Sequence, residues 1–410
     1  MAVILSSTRE SPWKSWWDLN PEYVFLNHGS YGATPRAILE YQQQLRQEIE
    51  SQPAKFYQRN FLHQHDHARR KLGEFIGVDD GDIALIPNAT AGVNTILRNI
   101  QFKAGDEIVL TNHGYNSCNN AARYIADKSG AKVIAAKIPF PIEHSGIATE
   151  TVLAAITPQT RLVMLDHVTS ASGLILPIEE IIKELNDRNI ETLIDGAHAP
   201  GMVPFHLNEL GCTYYTGNCH KWLCTPKGAA FLYVKPSHQE SIRPLSISHG
   251  ANAPVQQRSR FRLEFDWLGT YDPTAQLCIP FALELFEQNI KGGMSAIMEH
   301  NHHLAIHAQR ILCDALEVDL PCPSSMLGSL AAIPIDEEPL SGGLVFDKLQ
   351  NILYENYNVE VLVCATPIAP TRSLRVSCQL YNHKSEYELL AEFLREIERE
   401  HNVKFGIGHN

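Results

Sequence analysis

Five short runs between residues 82 and 194, apolar almost throughout, constrain this chain more than anything else in it. They occupy 82–86, 107–110, 132–135, 161–165 and 191–194. A strand with one wet face alternates apolar and polar residues. These runs do not alternate, so they read as strands covered on both faces of a mainly parallel sheet. Between them lie stretches of helical period such as 177–187, where Ile178, Ile181, Ile182 and Leu185 share one face. Strand and helix in alternation predict an open α/β domain with its site at the carboxyl ends of the strands. Residues 228–234 add one more strand, after which Pro236, Pro244 and Pro254 interrupt the pattern. Helical patterns return at 273–290, 301–318 and 386–400. We therefore expect an N-terminal arm at 1–35, a large domain at 36–265 and a smaller α+β domain at 266–410.

Charge and cysteine usage narrow the partners. With 46 acidic against 34 basic residues, the net charge of −12 disfavours nucleic acid or an anionic membrane as the main partner, because phosphate binding uses clustered Lys and Arg. No apolar run approaches the ~20 residues of a bilayer span. A cytoplasmic protein binding neither nucleic acid nor membrane is the expectation. The nine cysteines are scattered without a CxxC pair, as expected of reduced thiols rather than a disulfide framework or zinc site. His63, His65 and His67, and the group Glu299, His300, His302, His303 and His307, read as helix surfaces. No third ligand and no HExxH pattern accompany them, so no metal is predicted.

Two segments carry the chemical signal. Asp195-Gly196-Ala197-His198 closes a buried apolar run, where a carboxylate is costly unless it meets a cation or a set of donors. Gly217-Asn218-Cys219-His220-Lys221-Trp222 follows one strand later and sets a lysine among apolar and aromatic residues. Desolvation there would lower the amine pKa, as imine chemistry requires. Separately, an Asp in a turn or a Lys beside an aromatic is commonplace; together they mark a cofactor site. A third segment, Pro87-Asn88-Ala89-Thr90-Ala91-Gly92, opens a helix with small residues and a hydroxyl, a setting that suits a phosphate. Neither GxGxxG nor GxxxxGK[ST] occurs in the chain, which removes the usual dinucleotide and triphosphate alternatives.

These segments resemble the class V aminotransferase family of fold-type I pyridoxal-5′-phosphate (PLP) enzymes, in its isopenicillin-N epimerase-like and cysteine desulfurase-like groups. Leu26-Asn27-His28-Gly29-Ser30-Tyr31-Gly32, Trp267-Leu268-Gly269-Thr270-Tyr271-Asp272 and Leu374-Arg375-Val376-Ser377 extend the resemblance over nearly the whole chain. It implies a mainly parallel sheet of seven-stranded type flanked by helices, a homodimer and an amino-acid substrate. It also implies roles. Lys221 would form the Schiff base and move the α-proton, Asp195 would pair with the pyridine nitrogen, and His198 would neighbour the phenolic oxygen. Ala89, Thr90, Asn218 and His220 resemble the phosphate cup, with Gly269 and Thr270 reaching the phosphate of the other subunit. Tyr115 resembles the aromatic stacked on the ring, with His113 its rival. Thr169 or Ser170 stands where relatives place an Asn near the phenolic oxygen. Arg375, with Asn27, resembles the clamp on the substrate carboxylate.

The implied chemistry begins with an aldimine and passes through a quinonoid carbanion, leading to epimerisation or β-elimination (C–S lyase). Transamination and desulfuration are the second reading, and an inactive PLP-fold binding subunit the third. Cys364 lies in the region where desulfurases carry a reactive cysteine. Its context, Val361-Leu362-Val363-Cys364, predicts a packed strand and a passive thiol.

Overall fold

The computed structural model describes residues 10–335, 347–365, 372–401 and 403–406. The strands among the described residues are β1 (Val24–Phe25), β2 (Ile83–Ile86), β3 (Glu107–Thr111), β4 (Lys132–Ala136), β5 (Thr160–Asp166), β6 (Glu191–Asp195), β7 (Tyr214–Asn218), β8 (Ala230–Val234), β9 (Leu330–Ile335), β10 (Val359–Glu360), β11 (Leu362–Ala365) and β12 (Arg372–Ser377). Seven of them form the main sheet in the order β2-β8-β7-β6-β5-β3-β4. Strands β3 to β7 run parallel, and β8 runs antiparallel to both of its neighbours, β7 and β2. All five expected apolar runs are strands of this sheet. The fold is that of an α/β protein with a mostly parallel central sheet.

Both faces of the sheet are covered, which is why its strands lack alternation, except at the edge strand β4, where Lys132 and Ala135 are exposed and Val133 and Ile134 half-buried because no further strand flanks it. Ile83, Leu85, Val163, Leu165 and Ile194 point into one core, which they share with Ile181, Ile182 and Leu185. Their neighbours Ala84, Ile86, Leu162, Met164 and Leu193 point into the opposite core, against Val93, Ile96, Leu97 and Cys118. Side chains of period two thus serve two helix layers at once. The second of those layers includes helices α1 (Ala89–Asn99) and α2 (Asn116–Ser129). The close fit of α1 needs Gly92: a Cβ there would stand 2.3 Å from Thr216 Oγ1, whose hydroxyl is held by the Phe231 carbonyl.

The remaining strands build a second layer. The order β11-β12-β9 makes a small antiparallel sheet, and β1 pairs in parallel with β10. The expected division near 265 does not coincide with the boundary between cores. Ala275, Leu277, Ile279, Ala282 and Phe286 belong with the main sheet. Ala305, Ala308, Leu312 and Leu316 join Ile333, Leu374 and Leu390, and Val24 and Leu26 of the expected arm are in that second core too. Helix α3 (Gly293–Leu316) spans both cores. We therefore place the division inside α3.

Two helical expectations are corrected as well. The pattern at 273–290 is two helices, Thr274–Leu277 and Ile279–Asn289, because Pro280 lacks the N–H that a continuous helix would need. The helix expected at 301–318 starts earlier, at Gly293, since Met294 and Ile297 already pack on the first core. Among the described residues, no helix is long and apolar enough to cross a membrane.

Candidate active site

Three polar residues end adjacent strands of the main sheet: Asp166 on β5, Asp195 on β6 and Asn218 on β7. Asp166 is the register partner of Asp195, and both are buried. Three residues beyond Asn218, Lys221 brings its amine back over these strand ends. Burial, with the Arg375 charge adding to it, lowers the Lys221 pKa to about 7, against the opposing pull of Asp195 and Asp166. His198 Nε2 lies 3.0 Å from Lys221 Nζ, and the Trp222 indole donates to His198 Nδ1 at 3.4 Å.

Asp195 accepts from the Ala197 N–H at 3.0 Å and from the Cys118 thiol at 3.1 Å. Burial raises the pKa of both carboxylates, and the Asp195 charge pushes Asp166 well above the usual carboxylate range. Two carboxylates this close cannot both ionise in a low-dielectric site. Donors reach both, Ala197 N–H and the Cys118 thiol at Asp195 and the Tyr115 N–H at Asp166, and the stronger upward push, from burial and then from the Asp195 charge, falls on Asp166.

The expected phosphate end is assembled from two elements. Asn88 caps α1 by accepting from the Ala91 N–H at 2.9 Å, and the Ala89 N–H donates to Asn218 Oδ1 at 2.9 Å, tying the helix start to the end of β7. Thr90 lies in the first turn of α1. His220 Nδ1 sits 3.1 Å from the Ala229 carbonyl, and burial lowers its pKa to about 4. Gly269 and Thr270 lie apart, on a half-buried to exposed loop; no heavy atom comes within 4 Å of where a Gly269 Cβ would stand.

Arg375, on β12, is 1% exposed and reaches the site from the second layer. Its guanidinium donates to the Ser170 carbonyl at 2.6 Å, Ser30 Oγ at 2.9 Å and Asn27 Oδ1 at 3.3 Å, while its buried Nε–H has no acceptor among the described residues. Among the described residues, no carboxylate pairs with it. The two candidate stacking residues differ sharply. His113 is buried with both ring nitrogens engaged, one by Ser172 Oγ at 2.8 Å and one by the Ile138 carbonyl at 3.0 Å; Tyr115 is 44% exposed. The Thr169 contact is not offered. Its hydroxyl is buried, bonded to Ser172 Oγ at 2.7 Å and accepting from the Leu174 N–H at 2.8 Å.

A family profile described as "Aminotransferase class-V" matches residues 25–390. The chain belongs to the class V aminotransferase family. Among curated members, it is 31% identical to an isopenicillin N epimerase of Streptomyces clavuligerus, over 92% of this chain and 95% of that protein. It is 26% identical to a probable chloroplastic L-cysteine desulfhydrase of Arabidopsis thaliana, over 93% and 84%. Among solved structures, a cystine C–S lyase, C-DES, aligns with a TM-score of 0.77 at 21% identity, covering 94% of this chain and 98% of that one. A cysteine desulfurase, CsdA, of Escherichia coli aligns at 0.75 and 20%, covering 95% and 98%. These structural likenesses show the fold.

Within this class V chain, the structure adds residues around Lys221 that the sequence did not single out. His28 Nε2 lies 3.0 Å from the Lys221 carbonyl, while His28 Nδ1 accepts from the Ala33 N–H at 3.2 Å and meets the Tyr381 hydroxyl at 2.8 Å. Burial lowers the His28 pKa to about 3, so the ring is neutral and its one proton is donated to Lys221. Gly32, at φ +72°, passes so close to the His220 carbonyl that a Cβ would overlap it at 2.0 Å. The Asn27-to-Gly32 segment was visible as a motif. Its grip on the Lys221 backbone, across 193 residues of sequence, was not.

The Lys221 amine makes stability depend on pH. A lysine in the unfolded chain titrates near ~10.4, whereas Lys221 in the folded chain titrates at about 7. Between those values the unfolded state binds the extra proton, so this contribution to stability rises with pH. Lys221→Met removes it. We expect the cofactor-free variant to be more stable than cofactor-free wild type in urea unfolding, with the gap shrinking by on the order of 2 kcal/mol from pH 7 to 9. A gap constant over that range would contradict the assignment.

Proposed function

We propose that this chain is a PLP-dependent enzyme that removes the α-proton of an amino acid at Lys221 and releases the product by epimerisation or β-elimination. One observation carries the reading: a buried arginine, Arg375, with an unpaired Nε–H and no carboxylate partner among the described residues, faces a buried lysine amine of depressed pKa. A guanidinium so placed suits the carboxylate of an amino acid. A lysine that is neutral near pH 7 suits a carbonyl cofactor and the proton transfer that follows.

The donor set fits PLP. Asp195, kept anionic by Cys118 and Ala197, is placed for a protonated pyridine nitrogen. His198 is placed for the phenolic oxygen beside Lys221. The first turn of α1 at Thr90, with the Asn218 side-chain NH2 and His220, supplies donors for the phosphate, the Ala89 N–H being taken by Asn218 Oδ1. Tyr115, whose ring is open to solvent while His113 is buried, is the better candidate for the stacking aromatic. Asn27 and Ser30 hold the Arg375 fork in place. When bound, the cofactor ring withdraws electrons from the bonds at the substrate α-carbon. The protein's part is to orient that carbon through Arg375 and to carry its proton on the Lys221 amine.

Desulfuration by a cysteine nucleophile is disfavoured. Cys364 sits in β11, paired with Ser373 of β12, and its thiol donates to the Ala171 carbonyl at 3.4 Å. Burial raises its pKa, so the thiolate is not the resting form. We expect Cys364→Ser to keep most turnover, and sulfide released from cysteine or cystine to appear with pyruvate and ammonia rather than alanine. Quantifying pyruvate, alanine and D-amino acid together checks this; alanine formed in step with sulfide, and abolished by Cys364→Ser, would overturn it.

A homodimer completes the proposal. The Gly269-Thr270 loop presents nothing to its own subunit at that glycine, and Tyr31, Ile247 and Val255 are large apolar side chains left exposed. The nine unpaired cysteines suit the reducing cytoplasm. Light scattering is expected to give twice the chain mass, and a monomer that still binds PLP tightly would refute the shared site.

A further inference from the structure

Trp222 has one polar group, the indole N–H, and it can only donate. It meets His198 Nδ1 at 3.4 Å, so that nitrogen is an acceptor. His198 is 2% exposed, and burial, reinforced by the charges of Lys221 and Arg375, holds its pKa well below the ordinary histidine value. The ring is therefore neutral and carries one proton. With Nδ1 accepting, that proton sits on Nε2, the atom 3.0 Å from Lys221 Nζ. An amine that faces an N–H presents its lone pair, so the same contact selects neutral Lys221.

We propose that Trp222 is a positioning residue whose indole N–H locks His198 in the Nε2–H tautomer, keeping a proton donor aimed at the Lys221 amine and at the cofactor oxygen beside it. The tautomer rests on the chain alone. Only the consequence for the cofactor rests on the function proposed above. His28 shows the same logic on the other side of the lysine: the Ala33 N–H occupies Nδ1, and Nε2–H is left for the Lys221 carbonyl. Two neutral histidines of the same tautomer thus hold Lys221, one by its backbone and one by its amine.

Trp222→Phe removes the N–H while keeping an aromatic ring in a site that is 1% exposed. The first measurement is ¹⁵N NMR of histidine-labelled protein, with and without PLP. Wild-type His198 is expected as the Nε2–H form at pH 8 to 9, above the Lys221 value of about 7, where the amine is neutral, and Trp222→Phe as a mixture of both tautomers. The second is the pH midpoint of the visible band of the lysine-bound cofactor. Losing a donor to the phenolic oxygen raises the basicity around the imine, so the midpoint should rise in Trp222→Phe by roughly half to one unit.

Packing is separated from tautomer control by His198→Leu, which has no donor or acceptor for the Trp222 N–H to orient. In that background, Trp222→Phe is expected to leave the midpoint unchanged. A wild-type His198 found in the Nδ1–H form overturns the proposal without any variant. So does a midpoint shift of equal size in the His198→Leu background. If wild type shows no lysine-bound cofactor band, the proposed function fails, and the tautomer of the cofactor-free protein still decides this inference.

Discussion

Burying an amine at the ends of β6 and β7 costs free energy that the fold offsets by surrounding it with carboxylates and neutral histidines. Lys221 is drawn toward its charged form by Asp195 and Asp166 and away from it by burial and Arg375. The balance leaves the amine near neutrality, where it can act as nucleophile and base. The parallel sheet makes this possible. Its strands end together, so groups 26 residues apart in sequence, Asp195 and Lys221, share one small volume. The second layer then closes the site from above with Arg375 and the Asn27-to-Gly32 segment.

The sheet and the Asp195-to-Lys221 pair were legible in the sequence because each leaves a local mark. A strand covered twice shows as an unbroken apolar run, and a polar residue at its end stands out against it. Contacts between distant segments leave no such mark. Cys118 reaches Asp195 across 77 residues and His28 reaches Lys221 across 193, and neither pairing has a period or spacing that could announce it. Thr169 shows the reverse difficulty. Its position matched a family pattern, but a tight turn through Ser172 and Leu174 takes up its hydroxyl. The division of the chain was misplaced because α3 is continuous across two cores, so no break in composition marks the change.

The arrangement also bears on which reactions the site suits. Epimerisation and β-elimination both begin with removal of the α-proton, and both need a base that moves freely between protonation states. Lys221 near pH 7 meets that need. A persulfide-forming route needs in addition an accessible thiolate, and Cys364, held in a strand with its pKa raised, does not supply one.

The central claim is that Lys221 alone holds the cofactor. Borohydride reduction of the purified protein, followed by digestion and mass mapping of the pyridoxyl-modified peptide, tests it most directly. A single adduct, on Lys221, is expected, and none in Lys221→Ala. An adduct on any other lysine, or one that persists in Lys221→Ala, would contradict it.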